Sequence, residues 1–272
     1  MSDKFASWEQ AVEWLRHQPE EQDLVRFCYY DDPIIEAANR YHDSTEWGAV
    51  QSLIGQAGNA RSALDIGAGR GISSYALAKD GWSVTALEPD PSPVVGRGAI
   101  QELARAGGVE INIVSEFGEA LPFPDSSFDL VHCRQVLHHA RDLNQLCAEI
   151  GRVLKKGGML IATREHVISK AEDLPLFLQA HPLHKLYGGE NAFTLEQYCE
   201  AIQRAGIDLQ HVFNPMQSDI NLFPSTQASV KAVWADKFHI SLLRKLPDFV
   251  LGIKGHLMTT PGRLYTFVGV KI

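Results

Sequence analysis

From residue 61 the chain alternates short apolar runs with amphipathic stretches, and this alternation predicts its architecture. "SALDIG" is a buried-strand pattern, followed by a helix through "ISSYALAKD". "WSVTALE" is a second strand and "SPVVGRGAIQELARAG" a second helix; "EINIVSE" and "FDLVHCR" are the third and fourth strands. "DLNQLCAEIGRVLKKGG" puts Leu143, Leu146, Ile150, Val153 and Leu154 on one helical face, with Gly157 placed to stop the helix. "GGMLIATRE" is a fifth strand, "TLEQYCEAIQRAG" a helix, "IDLQHVFNP" a sixth strand and "RLYTFVGVKI" a last one. The strands are near-continuous apolar runs, as strands buried on both faces are. Strand, helix, strand at this spacing predicts an α/β fold: a seven-stranded, mostly parallel sheet with helices on both faces.

The flanks differ. Residues 5–58 read as helical: "FASWEQAVEWLRH" spaces Trp8, Val12 and Leu15 as a helix does, Pro19 breaks the run, and Asp32 and Pro33 form an N-cap and first helical residue. Gly58 closes this region. Residues 216–262 form a mostly helical insertion before the last strand. The expected organisation is therefore a helical cap or lid at 1–58, a cofactor-binding core at 59–215, the insertion at 216–262 and a final core strand at 263–272.

Composition narrows the function classes. With 25 Lys and Arg against 33 Asp and Glu the net charge is −8, and no dense basic run offers the footprint of a phosphate-backbone binder. A nucleic-acid partner is not expected. Cys28, Cys133, Cys147 and Cys199 are widely spaced, without a CxxC or Cys/His cluster, and read as reduced thiols of a cytoplasmic protein. No segment is long and apolar enough to span a bilayer, and "MSDKFASWEQ" lacks an apolar signal core.

The chemistry concentrates in "ALDIGAGRGISS", where glycine recurs at every second position: Gly67, Gly69 and Gly71. Glycines after the first strand of an open α/β sheet let a ligand lie against the backbone. Glu88 ends the second strand 21 residues after Gly67, near the spacing at which an acid reaches ribose hydroxyls. The dinucleotide pattern G-x-G-x-x-G is not met. Asp65, just before the glycines, is awkward beside a pyrophosphate and favourable beside an ammonium or sulfonium. A ligand carrying adenosine and positive charge is implied.

Together, "LDIGAGRG", "ALEPD" and "EALPFPDSSFDLVHCRQVLHHARDLNQLCAEIGRVLKKGGML" resemble class I S-adenosylmethionine-dependent methyltransferases, in the small-molecule type 11 branch that includes quinone-biosynthesis enzymes. The resemblance is close over residues 61 to about 165 and loose in the flanks. It implies a Rossmann-like core using S-adenosyl-L-methionine, with S-adenosyl-L-homocysteine as product. On the matching positions, Asp65, Gly67, Ala68, Gly69 and Gly71 would shape the pocket for the methionine part, Glu88 would hold the ribose, and Pro89 would lie along the adenine. The family often has an acid before "EALPF"; this chain has Phe117 there, with Glu116 one residue earlier. That leaves adenine to Phe117, to the backbone at Gly118 and Glu119, or to Glu116. Cys133, Arg134 and Gln135 would line the cofactor–acceptor boundary.

Methyl transfer to a hydroxyl or an acidic carbon is helped by a general base. Glu165 and His166, just past the fifth strand, are the first candidates. His138 in "VLHHARD" is a third, although the resemblance gives such histidines a packing or hydrogen-bonding role. His181, His184, Tyr187, Glu190 and Asn191 follow in a polar and aromatic segment. No metal is expected: in "HPLH" Pro182 disfavours a helical pairing, and no acid sits at ligand spacing. Tyr29, Tyr30, Arg40, Tyr41 and Trp47 are lid residues that could face the site. The insertion either caps an acceptor pocket or makes a homodimer contact. The expected function is methyl transfer to a small organic molecule; the rivals are a nucleotide-dependent oxidoreductase and a non-catalytic S-adenosylmethionine-binding protein.

Overall fold

The computed structural model describes residues 5–55 and 61–272. The chain enters through four helices: α1 (Trp8–Arg16), α2 (Gln22–Phe27), α3 (Ile34–His42) and α4 (Thr45–Ile54). Ser7 and Ser44 cap α1 and α4 by accepting from Gln10 and Trp47 N–H. The third helix is capped by Pro33 rather than Asp32, whose carboxylate is instead taken by arginines. Gly58 and the boundary drawn there lie outside the described residues.

The core follows as β1 (Ser62–Ile66), α5 (Ile72–Lys79), β2 (Ser83–Leu87), α6 (Arg97–Gly107), β3 (Ile111–Val114), β4 (Phe128–Arg134), α7 (Leu143–Val153) and β5 (Leu154–Ile168). Then come α8 (Leu174–Ala180), α9 (Pro182–Leu186), β6 (Phe193–Thr194), α10 (Leu195–Arg204) and β7 (Ile207–Phe213). The insertion holds α11 (Asp219–Leu222), α12 (Gln227–Phe238) and α13 (Asp248–His256), and β8 (Arg263–Lys271) returns to the sheet. Strand order is β3-β2-β1-β4-β5-β8-β7, with β6 beside the end of β5. All pairs are parallel except those made by β8. The sheet has eight strands rather than the seven expected, because Phe193 and Thr194 pair with Val167 and Ile168 beyond the reach of β4.

Neighbouring residues of the central strands pack on opposite faces. Leu64, Val131 and Leu160 join Leu146, Ile150, Tyr198 and Ile202 of α7 and α10. Ala63, Leu130 and Ile161 join Trp47, Val50, Ala76 and Leu77 of α4 and α5. This two-sided burial is why the strand sequences do not alternate.

Two helix boundaries move. The second core helix starts at Arg97, not near Ser92, because the Ser92 hydroxyl and carbonyl take the N–H groups of Val94, Val95, Gly96 and Gly98 in a separate turn. The helix α7 ends at Val153, before Gly157. Ser126 and Ser127 donate to the carbonyls of Arg152 and Val153, Leu154 pairs with Phe128, and Lys155 reaches Asp129 at 2.9 Å. The "LKKGG" run is therefore the start of a strand.

Candidate active site

In this strand order the chain turns from leftward to rightward winding between β1 and β4, where ligands of open α/β sheets bind. A cavity of about 710 Å³ opens there. Asp65, Gly67, Ala68, Gly69, Glu88, Pro89, Glu116, Phe117, Gly118, Arg134, Gln135, His138 and His166 all line it. Gly71, Cys133 and Glu165 do not.

The glycine loop is built from left-handed turns. Gly67, Gly69 and Gly71 have φ of +63°, +54° and +80°, which explains glycine at every second position. Gly67 and Ala68 N–H bond to the Leu87 carbonyl, and Gly69 N–H donates to Glu88 Oε2 at 2.7 Å. Asp90 N–H donates to Glu88 Oε1 at 2.9 Å. Burial pushes the Glu88 carboxyl up to about 7, and the two backbone donors offset only part of that. Each oxygen keeps a further acceptor position, and no cationic side chain binds it among the described residues. A paired hydroxyl donor such as a ribose fits this buried acceptor.

Gly71 serves the same loop from below. It caps α5, and a Cβ there would lie 3.1 Å from Ile100 side-chain carbons. Asp65 is tied down: Oδ2 accepts from Ser74 at 2.6 Å and Oδ1 sits 2.9 Å from His132 Nδ1. Cys133 is fully buried in the core, and burial pushes its thiol well up; strand alternation sends its neighbour Arg134 to the cavity instead.

On one side of the cavity, Glu116, Phe117, Gly118 and Glu119 form one wall. Phe117 is 53% exposed, unusual for its size, and the Arg141 guanidinium lies 5.0 Å from its ring centre. Gly118 presses on the core: a Cβ there would lie 2.5 Å from Leu146 Cδ1.

The N-terminal helices close over the loop. Trp8, Cys28, Tyr29 and Tyr30 line the cavity, whereas Tyr41 and Trp47 are core residues and Arg40 pairs with Asp31. Arg70, inside the glycine loop, donates to the carbonyls of Tyr29 and Asp31 and to Asp32 Oδ1. Asp32 also pairs with Arg16 at 2.7 Å. Nothing in the local spacing signals Arg70 as a strap, because its partners lie 38–41 residues away in the chain.

At the opposite end of the cavity stand four imidazoles and one carboxylate: His138, His139, His166, His181 and Glu190. Glu165 is not among them. A bulge at Arg164 (φ +60°) turns Glu165 inward, where it is fully buried. Its carboxylate accepts from the N–H groups of Val136, Leu137 and His138 at 3.0–3.1 Å and from His138 Nδ1 at 2.7 Å. Four donors saturate it, so Glu165 positions the turn after β4 and cannot be the base expected of it. Burial opposes charge on His138, but Glu165 and Glu190, the latter 3.5 Å from Nε2, hold its pKa above the usual value. His138 is thus a cation between two anions.

His166 keeps its place but changes character. Nδ1 lies 2.9 Å from the Gly262 carbonyl, so it carries the proton and Nε2 is the lone-pair nitrogen. Burial, then the neighbouring His138 cation, push its pKa down to about 3. It is a neutral acceptor rather than a proton base tuned near 7. Glu190, named above only as one residue of a polar and aromatic segment, lines the cavity; it follows Gly188 and Gly189 in a loop whose course the sequence does not disclose. It answers the missing acid in "HPLH": Oε1 is 3.9 Å from His181 Nδ1.

The fold and cavity are those of an open α/β domain with a ligand site at the switch point of its sheet. Residues 64–162 match the family described as a methyltransferase domain, the type 11 group. The chain is 34% identical over 106 residues to the uncharacterized methyltransferase YcgJ of Bacillus subtilis, covering 36% of this chain and 38% of that protein. It is 25% identical over 174 residues to a ubiquinone biosynthesis O-methyltransferase of Agrobacterium fabrum, covering 61% and 68%. Among solved structures, geranyl diphosphate C-methyltransferase from Streptomyces coelicolor, solved with Mg2+, geranyl diphosphate and S-adenosyl-L-homocysteine, superposes with a TM-score of 0.61 over 98% of this chain and 99% of that one at 13% identity. Residues 64–162 are thus similar to the type 11 methyltransferase domain, and the chain spans only 38% of the length of the Bacillus subtilis relative.

Proposed function

We propose that the protein transfers the methyl group of S-adenosyl-L-methionine to a small organic acceptor, releasing S-adenosyl-L-homocysteine. The observation that carries this reading is Glu88: a buried carboxylate beside an all-left-handed glycine loop, with both oxygens still able to accept. When bound, the cofactor would supply an electrophilic methyl group on a sulfonium. The chain's part is to hold and align. Glu88 would accept from the ribose, Pro89 and Phe117 would flank the adenine, and the Gly67–Gly69 backbone would carry the methionine part. The Gln135–His138 turn, fixed by Glu165, would form the boundary with the acceptor. Trp8, Tyr29 and Tyr30 would exclude water from above, which supports a lid role for the N-terminal helices.

Neutral His166, cationic His138 and Glu190 define an acceptor end suited to binding an oxygen-bearing group. None of the 216–262 insertion lines the cavity, while Phe238, Leu242, Phe249 and Leu257 on it are more than half exposed. This favours a homodimer contact over an acceptor cap. A cytoplasmic location fits four cysteines that are all free thiols, and no described helix is long and apolar enough to cross a membrane.

Calorimetry with S-adenosyl-L-homocysteine tests the reading. Glu88→Ala should weaken binding by roughly 2–5 kcal/mol, from two charge-assisted hydrogen bonds. Unchanged affinity in the folded variant, or binding of NAD in preference, would overturn it. A labelled-methyl screen against metabolite extract, read by mass spectrometry, separates an enzyme from a cofactor-binding protein.

A further inference from the structure

We propose that His166, His181 and Glu190 form a binding site for a divalent first-row transition cation of the Zn2+ type, on the acceptor wall of the cavity. One ring nitrogen of each histidine and one Glu190 oxygen lie within 4.8 Å of one another. Bonds of about 2.0–2.1 Å in tetrahedral array separate ligands by about 3.4 Å. The site thus needs closing by an ångström or so, within reach of side chains half-buried on α8–α9 and the 188–190 loop. Two imidazoles and one carboxylate are a borderline donor set, matched to Zn2+, Fe2+ or Co2+ rather than Mg2+ or Ca2+. Three protein ligands leave a coordination position open, as catalytic rather than structural sites do.

The surroundings are those of a ligand set. Hydrogen bonds behind metal ligands fix which atom faces the ion. The Gly262 carbonyl holds Nδ1–H of His166 and so aims the Nε2 lone pair away from the strand. His138, anchored by Glu165, faces Glu190 Oε2 at 3.5 Å, while Oε1 faces His181 at 3.9 Å. Glu190 is therefore braced on one oxygen and open on the other. His184, the second histidine of "HPLH", points elsewhere and only donates its backbone N–H to His181 Nδ1 at 3.4 Å. The open position gives onto the cavity. There the ion would coordinate an acceptor oxygen and stabilise negative charge on it as a Lewis acid. That role rests on the methyl-transfer reading; the binding of the ion does not.

The test uses the full chain stripped with a chelator. Co2+ is titrated by absorption spectroscopy and Zn2+ by calorimetry, with S-adenosyl-L-homocysteine affinity measured in parallel. One ion per chain is expected, with a low-symmetry Co2+ spectrum. Glu190→Gln and His181→Ala should each weaken binding by more than about tenfold, His184→Ala should leave it unchanged, and all three should bind S-adenosyl-L-homocysteine like the wild type. An octahedral aqua-type Co2+ spectrum, or equal metal affinity in Glu190→Gln and His181→Ala, would overturn the site. Cofactor binding without metal binding sinks this inference alone; metal binding without cofactor binding sinks the methyltransferase reading alone.

Discussion

Arg134 at the end of β4 and Glu46 on α4 grip each other through two hydrogen bonds, 2.7 Å from Nε to Oε1 and 3.0 Å from Nη2 to Oε2. Glu46 is fully buried, and the guanidinium lies 5.5 Å from the ring centres of both Tyr29 and Tyr41. The pair ties the N-terminal helices to the floor of the cavity. Burial opposes charging Glu46, but Arg134 and Arg164 together outweigh it and keep the carboxyl below its usual value. Removing one partner strands a buried charge, at about 3–5 kcal/mol. Glu46→Gln should lose that much stability in urea unfolding, and Glu46→Gln with Arg134→Gln should lose less than the two singles summed. Full additivity would mean that the two side chains do not interact.

Glu88 should make stability depend on pH. Its folded pKa of about 7 lies above the ordinary 4.5, so the folded chain holds this proton more tightly than the unfolded one. The favourable contribution is complete below about 4.5 and is lost as pH rises through about 7. At 1.36 kcal/mol per pKa unit the loss is about 3 kcal/mol. Glu88→Gln, which does not titrate, should therefore match the ligand-free wild type near pH 5 and exceed it near pH 8. Cofactor binding should move the other way, strengthening as the carboxylate forms. A pH-independent stability gap between the two proteins would refute the burial argument.

Two glycines of one loop should respond differently to alanine. At Gly67 a Cβ would lie 2.8 Å from Val136 Cγ2 as well as in a left-handed backbone; at Gly69 the nearest atom is the Val95 carbonyl oxygen at 3.8 Å. Gly69→Ala should cost about 1–2 kcal/mol of stability, the left-handed penalty alone. Gly67→Ala adds overpacking of about 1–3 kcal/mol. Equal unfolding midpoints for the two variants would contradict this ordering.

Glu165 should behave as an anchor. Glu165→Ala leaves three backbone N–H groups and His138 Nδ1–H without an acceptor, and should destabilise by about 3–5 kcal/mol. Glu165→Gln keeps one acceptor oxygen and should lose less. A Glu165→Ala protein as stable as the wild type but without turnover would restore the role of base.

The sheet and the glycine loop were legible because they rest on local rules. Apolar runs, helix caps and the Gly67-to-Glu88 spacing act within one βαβ unit. Cys133 and Arg134 show the limit: the strand was clear, but which face each side chain takes depends on register. The histidine-lined end of the cavity was harder still. Glu165 and His166 are adjacent, yet the bulge at Arg164 sends one into the core and leaves the other on the cavity. Glu190 reaches His181 only through a loop with paired glycines, and no period in the sequence encodes that path. Arg70 and Glu46 act across 38 and 88 residues, beyond any local pattern.

The place of β8 sets the order in which the molecule can be made. It lies between β5 and β7, both synthesised earlier, and is antiparallel to each. Until residues 263–271 leave the ribosome, β5 and β7 present unpaired edges, and Phe267 and Val268 are missing from the two apolar layers. The glycine loop and Glu88 follow strands already complete by then. A nascent chain stalled before β8 should therefore hold a formed glycine loop in a half-built sheet, sticky at its edges and dependent on chaperones.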